Sequence, residues 1–201
     1  MAKGSGGTRG AAGGGNSKFA NIPGLQGIKD ASVRNELIRA LEDYDKEFGV
    51  RQSNIVLDKL EDFVAGEART SGGKTVEIAL DRATFGKSSK EISKMFSDAE
   101  KSGLLSSTKN PIRHILAHEL GHATWQPAHF TKGEGYKTKQ IKNKVVGAYR
   151  KFLNDKSATG WGSYAKSSYG EFFAEAVAKH MYGTKDKHTA AVVKIIKDWN
   201  L

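Results

Sequence analysis

The sequence predicts an α+β fold, mostly helical with a small mixed sheet, and three observations lead to this fold class. Several segments carry apolar residues at the three- and four-residue spacing of amphipathic helices. One stretch, residues 74–81, alternates apolar and polar side chains as a strand does. The chain has 201 residues, of which 38% are hydrophobic and 27% charged, and this is enough to build one well-packed domain.

The N-terminal segment is predicted to be a flexible basic tail. Residues 1–18 contain seven glycines, two serines and three basic residues, and such a composition buries too little apolar surface to offset the entropy lost on ordering. We therefore expect a single domain over residues 19–201.

Its first helix, residues 30–48, has an apolar face formed by Val33, Leu37, Ile38, Leu41, Tyr44 and Phe48. Gly49 stands where a glycine commonly ends a helix.

A small sheet is predicted near residues 50–81. Residues 53–68 permit two interpretations, which are a short strand followed by a helical turn or a continuation of the preceding helix. Side chains alternate between the two faces of a strand, so residues 74–81 predict a half-buried strand. Its buried face is expected to consist of Val76, Ile78 and Leu80.

Further helices are predicted after the sheet. Ser88 and Glu91 have the spacing of a capping box, and Gly103 follows the helix that they open. Pro111 opens the next helix, because proline is tolerated in a first turn. Pro127 is expected to end that helix, because proline cannot donate the backbone hydrogen bond of a helix interior. The remaining helices are predicted over residues 136–155, 169–183 and 188–199.

Composition and charge narrow the classes of function. The formal net charge is +10, but the densest lysine run, residues 132–144, contains a single aromatic residue. Weak nonspecific nucleic-acid binding is therefore the most that the charge predicts. The chain has no cysteine, which excludes disulfides and thiolate metal sites. No segment resembles a membrane span of about 20 apolar residues, and the N-terminus lacks the apolar core of a signal peptide.

The stretch IRHILAHELGHATW, residues 112–125, carries the strongest functional signal. His118 and His122 are four residues apart, so on a helix both imidazoles can reach one metal ion. Glu119 lies about 100° away around the helix and can reach the remaining coordination space; H-E-x-x-H is a zinc-peptidase pattern. The competing interpretation is a hydrogen-bonded histidine pair with Glu119 on the surface. His114 lies one turn before His118 on the same face of the helix and is expected to support the site or to lie on the surface.

A catalytic zinc ion usually has three protein ligands and one open position. One known arrangement places a glycine three residues after the second histidine and a third histidine three residues later. Trp125 and Ala128 occupy those two positions here, and His129 is displaced by one residue. A third histidine ligand from this stretch is therefore not expected.

The later segment YGEFFAEAVAKH offers carboxylates instead. Glu171 and Glu175 are four residues apart beside large apolar residues, where burial of a carboxylate is costly without a cation or a histidine partner. One carboxylate on a metal ion and one on the free ring N–H of a ligand histidine would account for both. The alternative is a capping box from Ser168 to Glu171, with Glu175 in solvent.

HELGH, followed about fifty residues later by YAKSSYGEFFAEA, resembles the zinc peptidases related to anthrax lethal factor and the Pro-Pro endopeptidases, with similar domains in phage and mobile-element proteins. The resemblance is strongest over residues 74–183 and implies a zincin-like metallopeptidase domain. It implies that Zn²⁺ is bound by His118, His122 and Glu171, with Glu119 as general base, Glu175 supporting a zinc-bound histidine and Tyr164 stabilising the reaction intermediate. The residues alone do not distinguish Tyr164 from Tyr169 or Trp161.

The function implied by the resemblance is that of a zinc-dependent endopeptidase acting on a protein or peptide, as a phage or mobile-element maturation protease or as an effector. The alternative is a noncatalytic, virion-associated basic protein, stabilised by zinc, that binds nucleic acid nonspecifically. Without a signal peptide, we expect the protein in the cytoplasm, in a virion or exported by a non-classical route. A substrate peptide is expected to pair with the strand at residues 75–80, unless that strand is fully paired within the sheet.

Overall fold

The computed structural model describes residues 17–49, 54–71, 74–130 and 135–201. The predicted tail lies outside these residues except for its last two positions. The helices are α1 (Pro23–Gln26), α2 (Ala31–Phe48), α3 (Arg82–Phe85), α4 (Ser89–Lys101), α5 (Pro111–Phe130), α6 (Gly135–Leu153), α7 (Tyr169–Tyr182) and α8 (Lys187–Trp199), with a 3-10 turn at Tyr164–Lys166. The strands are β1 (Ile55–Asp58), β2 (Gly66–Ser71) and β3 (Lys74–Asp81). This architecture confirms the α+β prediction.

The three strands form a mixed sheet in the order β1-β3-β2, in which β1 runs parallel and β2 antiparallel to the central strand. Residues 53–68 thus contain two strands rather than a strand and a helical turn. The predicted buried face of β3 is wrong at one end. Ile78 and Leu80 are buried, but Val76 is 45% exposed, and Ala79 on the opposite face is fully buried. Strand β1 pairs only with Ile78–Asp81, so the second half of β3 lies between two strands, whereas the first half is paired with β2 alone among the described residues.

Local signals mark several helix ends as predicted. Ser88 and Glu91 form both hydrogen bonds of the capping box at the start of α4, and Gly103 follows that helix with φ of 75°. Gly49 ends α2 with φ of 79°. The predicted end at Pro127 is wrong, because α5 continues to Phe130. Packing of the preceding turns against α2, α7 and the sheet outweighs the backbone hydrogen bond that a proline forfeits.

Helix α5 occupies the centre of the fold, between α7, α2 and the sheet. Its apolar side chains Leu116 and Leu120 join a continuous core with Phe172 and Phe173 of α7. Gly121 lets the two helices approach closely, since a Cβ at this position would lie 2.8 Å from Cα of Ala174. Within the part of the chain that the structure describes, no helix has the length and apolarity needed to cross a bilayer.

Candidate metal centre

Two histidines of α5 and one glutamate of α7 direct one atom each toward a common point. Nε2 of His118, Nε2 of His122 and Oε2 of Glu171 lie 3.1 Å from one another in all three pairs. His118 is buried, and His122 and Glu171 are half-buried. This group could hold a metal ion.

Hydrogen bonding alone does not explain this triangle. A carboxylate only accepts, and each ring nitrogen donates at most one hydrogen. If both Nε2 atoms carry a hydrogen and donate to Glu171, the N–H groups of His118 and His122 face each other as two donors. If either Nε2 atom lacks a hydrogen, that nitrogen and the Glu171 oxygen are two acceptors in contact. A tetrahedral zinc ion with ligand bonds of about 2.0–2.1 Å holds its ligand atoms ~3.3 Å apart, close to the 3.1 Å observed. The three side chains therefore fit a zinc-sized cation.

The charges around the triangle also favour a cation. Burial by itself lowers the pKa of His118, but its hydrogen bonds to Glu171 and Glu175 outweigh burial and raise the pKa to about 10. Burial raises the pKa of Glu171, yet the two imidazoles hold it well below the ordinary value. The position between these side chains thus stabilises positive charge, which a divalent metal ion would supply.

Glu175 lies behind His118, on the side away from the triangle. Its Oε2 is 3.0 Å from Nδ1 of His118, and its side chain is 2% exposed. Burial raises the pKa of Glu175, but His114 and His118 lower it well below the ordinary value. The carboxylate therefore accepts the Nδ1 hydrogen of His118 and leaves the Nε2 lone pair of that ring for a metal ion.

Glu119 is buried beside the triangle rather than exposed on the surface, at 6% exposure. Strand β2 covers it: the Ala68 amide donates to the carboxylate, and a Cβ at Gly66 would lie 2.8 Å from its Cγ. Gly66 thus leaves the space that the Glu119 side chain occupies. Burial raises the pKa of Glu119, and the neighbouring His118 and His122 oppose that rise. A carboxylate with a raised pKa suits a group that takes and releases a proton.

Tyr164 lies on the open side of the site, with its side chain 42% exposed. Its ring centre is 5.8 Å from that of His118, and its hydroxyl is close enough to Glu171 to interact with that carboxylate. Burial and the carboxylates of Glu171 and Glu119 raise the pKa of Tyr164, so the hydroxyl remains a donor at neutral pH. Its backbone amide donates to the Leu104 carbonyl at 3.1 Å, which fixes the 3-10 turn to the loop after α4.

The two aromatic alternatives to Tyr164 pack elsewhere. Tyr169 lies edge-on against Trp125, with ring centres 6.0 Å apart, and Trp161 packs on Phe152 at 4.7 Å. Ser168 caps α7 by accepting the Glu171 amide at 3.0 Å. Only this half of the predicted capping box forms, because the Glu171 carboxylate lies beside the two histidines. Glu175 is buried rather than in solvent.

Of the two places expected for His114, beside the site or on the surface, the structure has the first. His114 is buried, at 4% exposure, and its Nε2 lies 3.1 Å from Oε1 of Glu175. The contacts of Gly66 and Ala68 with Glu119 escaped the sequence-based interpretation, because they depend on strand order. His114 left a signal in the sequence, since it stands four residues before His118. The side chain of His129, considered as a ligand, lies outside the described side chains.

The expected peptide-binding strand is enclosed over half of its length. Residues 78–80 of β3 lie between β1 and β2, so a peptide cannot add to them. Residues 75–77 lie beside β2, and no strand among the described residues pairs with their other edge. Strand β2 is instead the edge strand nearest Glu119.

Comparison with protein-family models, with curated proteins and with solved structures finds no match to this chain. Its function is therefore inferred from the geometry and chemistry of its own residues.

Proposed function

We propose that this protein is a zinc-dependent endopeptidase with a zincin-like domain. The observation that carries the proposal is the buried carboxylate of Glu119 beside the triangle of His118, His122 and Glu171. Structural zinc sites are usually closed by four protein ligands, often including cysteine. A cysteine-free group of three ligand atoms with a separate carboxylate next to it favours an open, catalytic position.

The mechanism follows from the placement of the side chains. Zinc held by His118, His122 and Glu171 would polarise the scissile carbonyl and acidify the attacking water. Glu119 takes a proton from that water and delivers it to the leaving amine. The Tyr164 hydroxyl donates a hydrogen bond to the oxygen that gains negative charge as the carbonyl is attacked.

The substrate peptide is proposed to add to the edge of β2 that faces away from β3, which pairs with no other strand among the described residues. The Asp81 amide donates to the Ala65 carbonyl at 3.0 Å, so backbone groups of alternate residues from Ala65 onward face β3. Gly66 and Ala68 consequently direct their backbone groups away from β3, toward the side on which the Ala68 amide meets Glu119. A peptide paired there would bring its backbone past the general base.

The resemblance noted from the sequence adds a biological setting to the proposal. It favours a maturation protease of a phage or mobile element, or an effector acting on a host. Both would use the same metal centre, so the first experiment addresses the chemistry common to them.

Wild type and Glu119→Gln, both loaded with zinc, would be incubated with a diverse peptide library, and cleavage would be read by mass spectrometry. We expect cleavage by wild type alone, because the amide that replaces the carboxylate cannot take a proton from water. Equal cleavage by both would remove Glu119 from the mechanism. Zinc bound by both, with no cleavage by either, would favour a structural zinc site.

A second candidate function, nonspecific nucleic-acid binding, is favoured by helix α6. The 19 residues of this helix contain no carboxylate, and its exposed surface carries Lys139, Lys142, Lys144, Arg150 and Lys151. Such a surface attracts phosphate backbones through counterion release. DNA binding that weakens steeply with salt, is retained by Glu119→Gln and is lost on replacing these five residues with Gln would establish it, and salt-independent binding would exclude it.

A further inference from the structure

A third histidine lies behind the proposed metal ligands and contacts the carboxylate of Glu175. His114 is one turn before His118 on α5, and its Nε2 lies 3.1 Å from Oε1 of Glu175. The other oxygen of that carboxylate, Oε2, lies 3.0 Å from Nδ1 of His118. Glu175 therefore bridges two imidazoles, with one oxygen on each ring.

This bridge continues the pattern that builds the metal centre. Along α5, the histidines recur every four residues at His114, His118 and His122, and along α7 the carboxylates recur at Glu171 and Glu175. The two series run in opposite directions and meet in order. His122 contacts Glu171, His118 contacts both Glu171 and Glu175, and His114 contacts Glu175. His114 is the last member of this ladder.

Hydrogen-bond chemistry assigns the direction of each contact. A carboxylate only accepts, so His114 donates from Nε2 and His118 donates from Nδ1. The Nδ1 atom of His114 is buried and has no hydrogen-bond partner in the part of the chain that the structure describes. Among the described residues, the imidazole of His114 thus serves Glu175 alone.

The consequence is a fixed orientation of the Glu175 carboxylate. The terminal torsion angle of a glutamate side chain has a broad range of allowed values. With a hydrogen bond from His118 alone, the Glu175 carboxylate could therefore rotate about this bond and still keep that hydrogen bond. A second donor on the other oxygen fixes the carboxylate plane, and with it the ring of His118. Outer partners of ligand histidines hold the ring orientation on which metal affinity depends.

We propose that His114 is a positioning residue, which acts through Glu175 to fix the ring of His118 for metal binding. The inference rests on the zinc site of the proposed function. It adds a third histidine to that site as a supporting group that does not contact the metal ion itself.

The test compares His114→Leu and His114→Gln with wild type by zinc dissociation constants from chelator competition, without substrate. We expect His114→Leu to raise the Kd by about tenfold or more. His114→Gln should recover most of the affinity, because its amide can donate to Glu175. The absorption spectrum of bound Co²⁺ should change in the Leu variant, since the His118 ring is no longer held. The matched control is His188→Leu, a histidine that is also buried and bonded to a carboxylate, Asp155 at 2.7 Å, whose loss should leave the Kd unchanged.

Equal zinc affinity of His114→Leu and wild type would overturn the proposal, as would a Gln variant as weak as the Leu variant. If His114→Leu does not fold, His114→Asn replaces it, because the shorter amide falls short of Glu175. A wild-type protein that binds zinc but cleaves no peptide would refute the peptidase proposal while leaving the role of His114 testable by the same constants. No zinc binding by wild type would overturn both.

Discussion

The close approach of α5 and α7 at Gly121 gives a prediction whose size follows from the structure. In Gly121→Ala, the new Cβ would lie 2.8 Å from Cα of Ala174, whereas ordinary contacts begin at 3.4 Å. Relief of the clash requires the helices to separate by the difference, about 0.6 Å, and overpacking of this kind costs about 1–3 kcal/mol of stability.

The separation would act directly on the metal centre. Ala174 lies between Glu171 and Glu175 in α7, so both carboxylates move with it. The contacts of 3.1 Å between Glu171 and the two histidines would lengthen to about 3.7 Å, beyond the tolerance of ~0.2 Å that metal bonds allow. We expect the zinc Kd to rise by roughly 10–100-fold, the loss typical of a disturbed ligand environment.

Chelator competition measures the zinc Kd, and urea unfolding of the metal-free protein measures stability. The matched control is Gly147→Ala on α6, where a Cβ meets nothing within 4 Å. That substitution should stabilise the protein by about 0.5–1 kcal/mol, because alanine favours a helix over glycine, and leave the zinc Kd unchanged. A Gly121→Ala protein with wild-type zinc affinity would refute the reasoning that this contact sets the ligand geometry.

Three further predictions concern single side chains. Glu119→Gln should keep one zinc ion per chain and lower kcat at least about 100-fold; metal analysis and peptide kinetics check this, and an unchanged kcat would contradict it. Tyr164→Phe should lower kcat about 10²–10³-fold with little change in KM, whereas an equal kcat would leave Tyr164 a packing role. Burial raises the pKa of Glu36, but hydrogen bonds from Arg113 and Asn110 outweigh it and lower the pKa below 4.5. The ionised Glu36 carboxylate therefore stabilises the fold above pH 4.5, and this stabilisation is lost as the pH falls through the folded-state pKa. In Glu36→Gln, the free energy of unfolding should depend less on pH in this acid range. An unchanged pH dependence would refute this prediction.

The elements predicted correctly are those specified by neighbouring residues. The capping box of Ser88 and Glu91 and the glycine at position 49 act within a single turn, so their effect can be read without the fold. Pro127 has an equally local preference, but packing along α5 overrides it. Strand order is a non-local property, and alternation in residues 74–81 predicted the buried face only in part and the neighbouring strands not at all. For that reason the sequence could not show that β3 is central.

The same division applies to the candidate site. Spacing of four places His118 with His122 on one helix face and Glu171 with Glu175 on another, and both facts are local. That the two pairs meet depends on the approach of α5 and α7 at Gly121, which no spacing reveals. The cover that β2 provides for Glu119 likewise depends on strand order. The catalytic and metal-binding roles of these residues stay predictions.

The most direct test of the central claim is a zinc titration of metal-stripped wild-type protein, with cleavage of a substrate peptide from the library followed at each addition. The proposed metal centre predicts no cleavage before zinc is added, a rise in rate with each addition and a plateau at one zinc ion per chain. Full cleavage without zinc, or a plateau of zinc binding with no cleavage at any point, would contradict a zinc peptidase built on His118, His122 and Glu171.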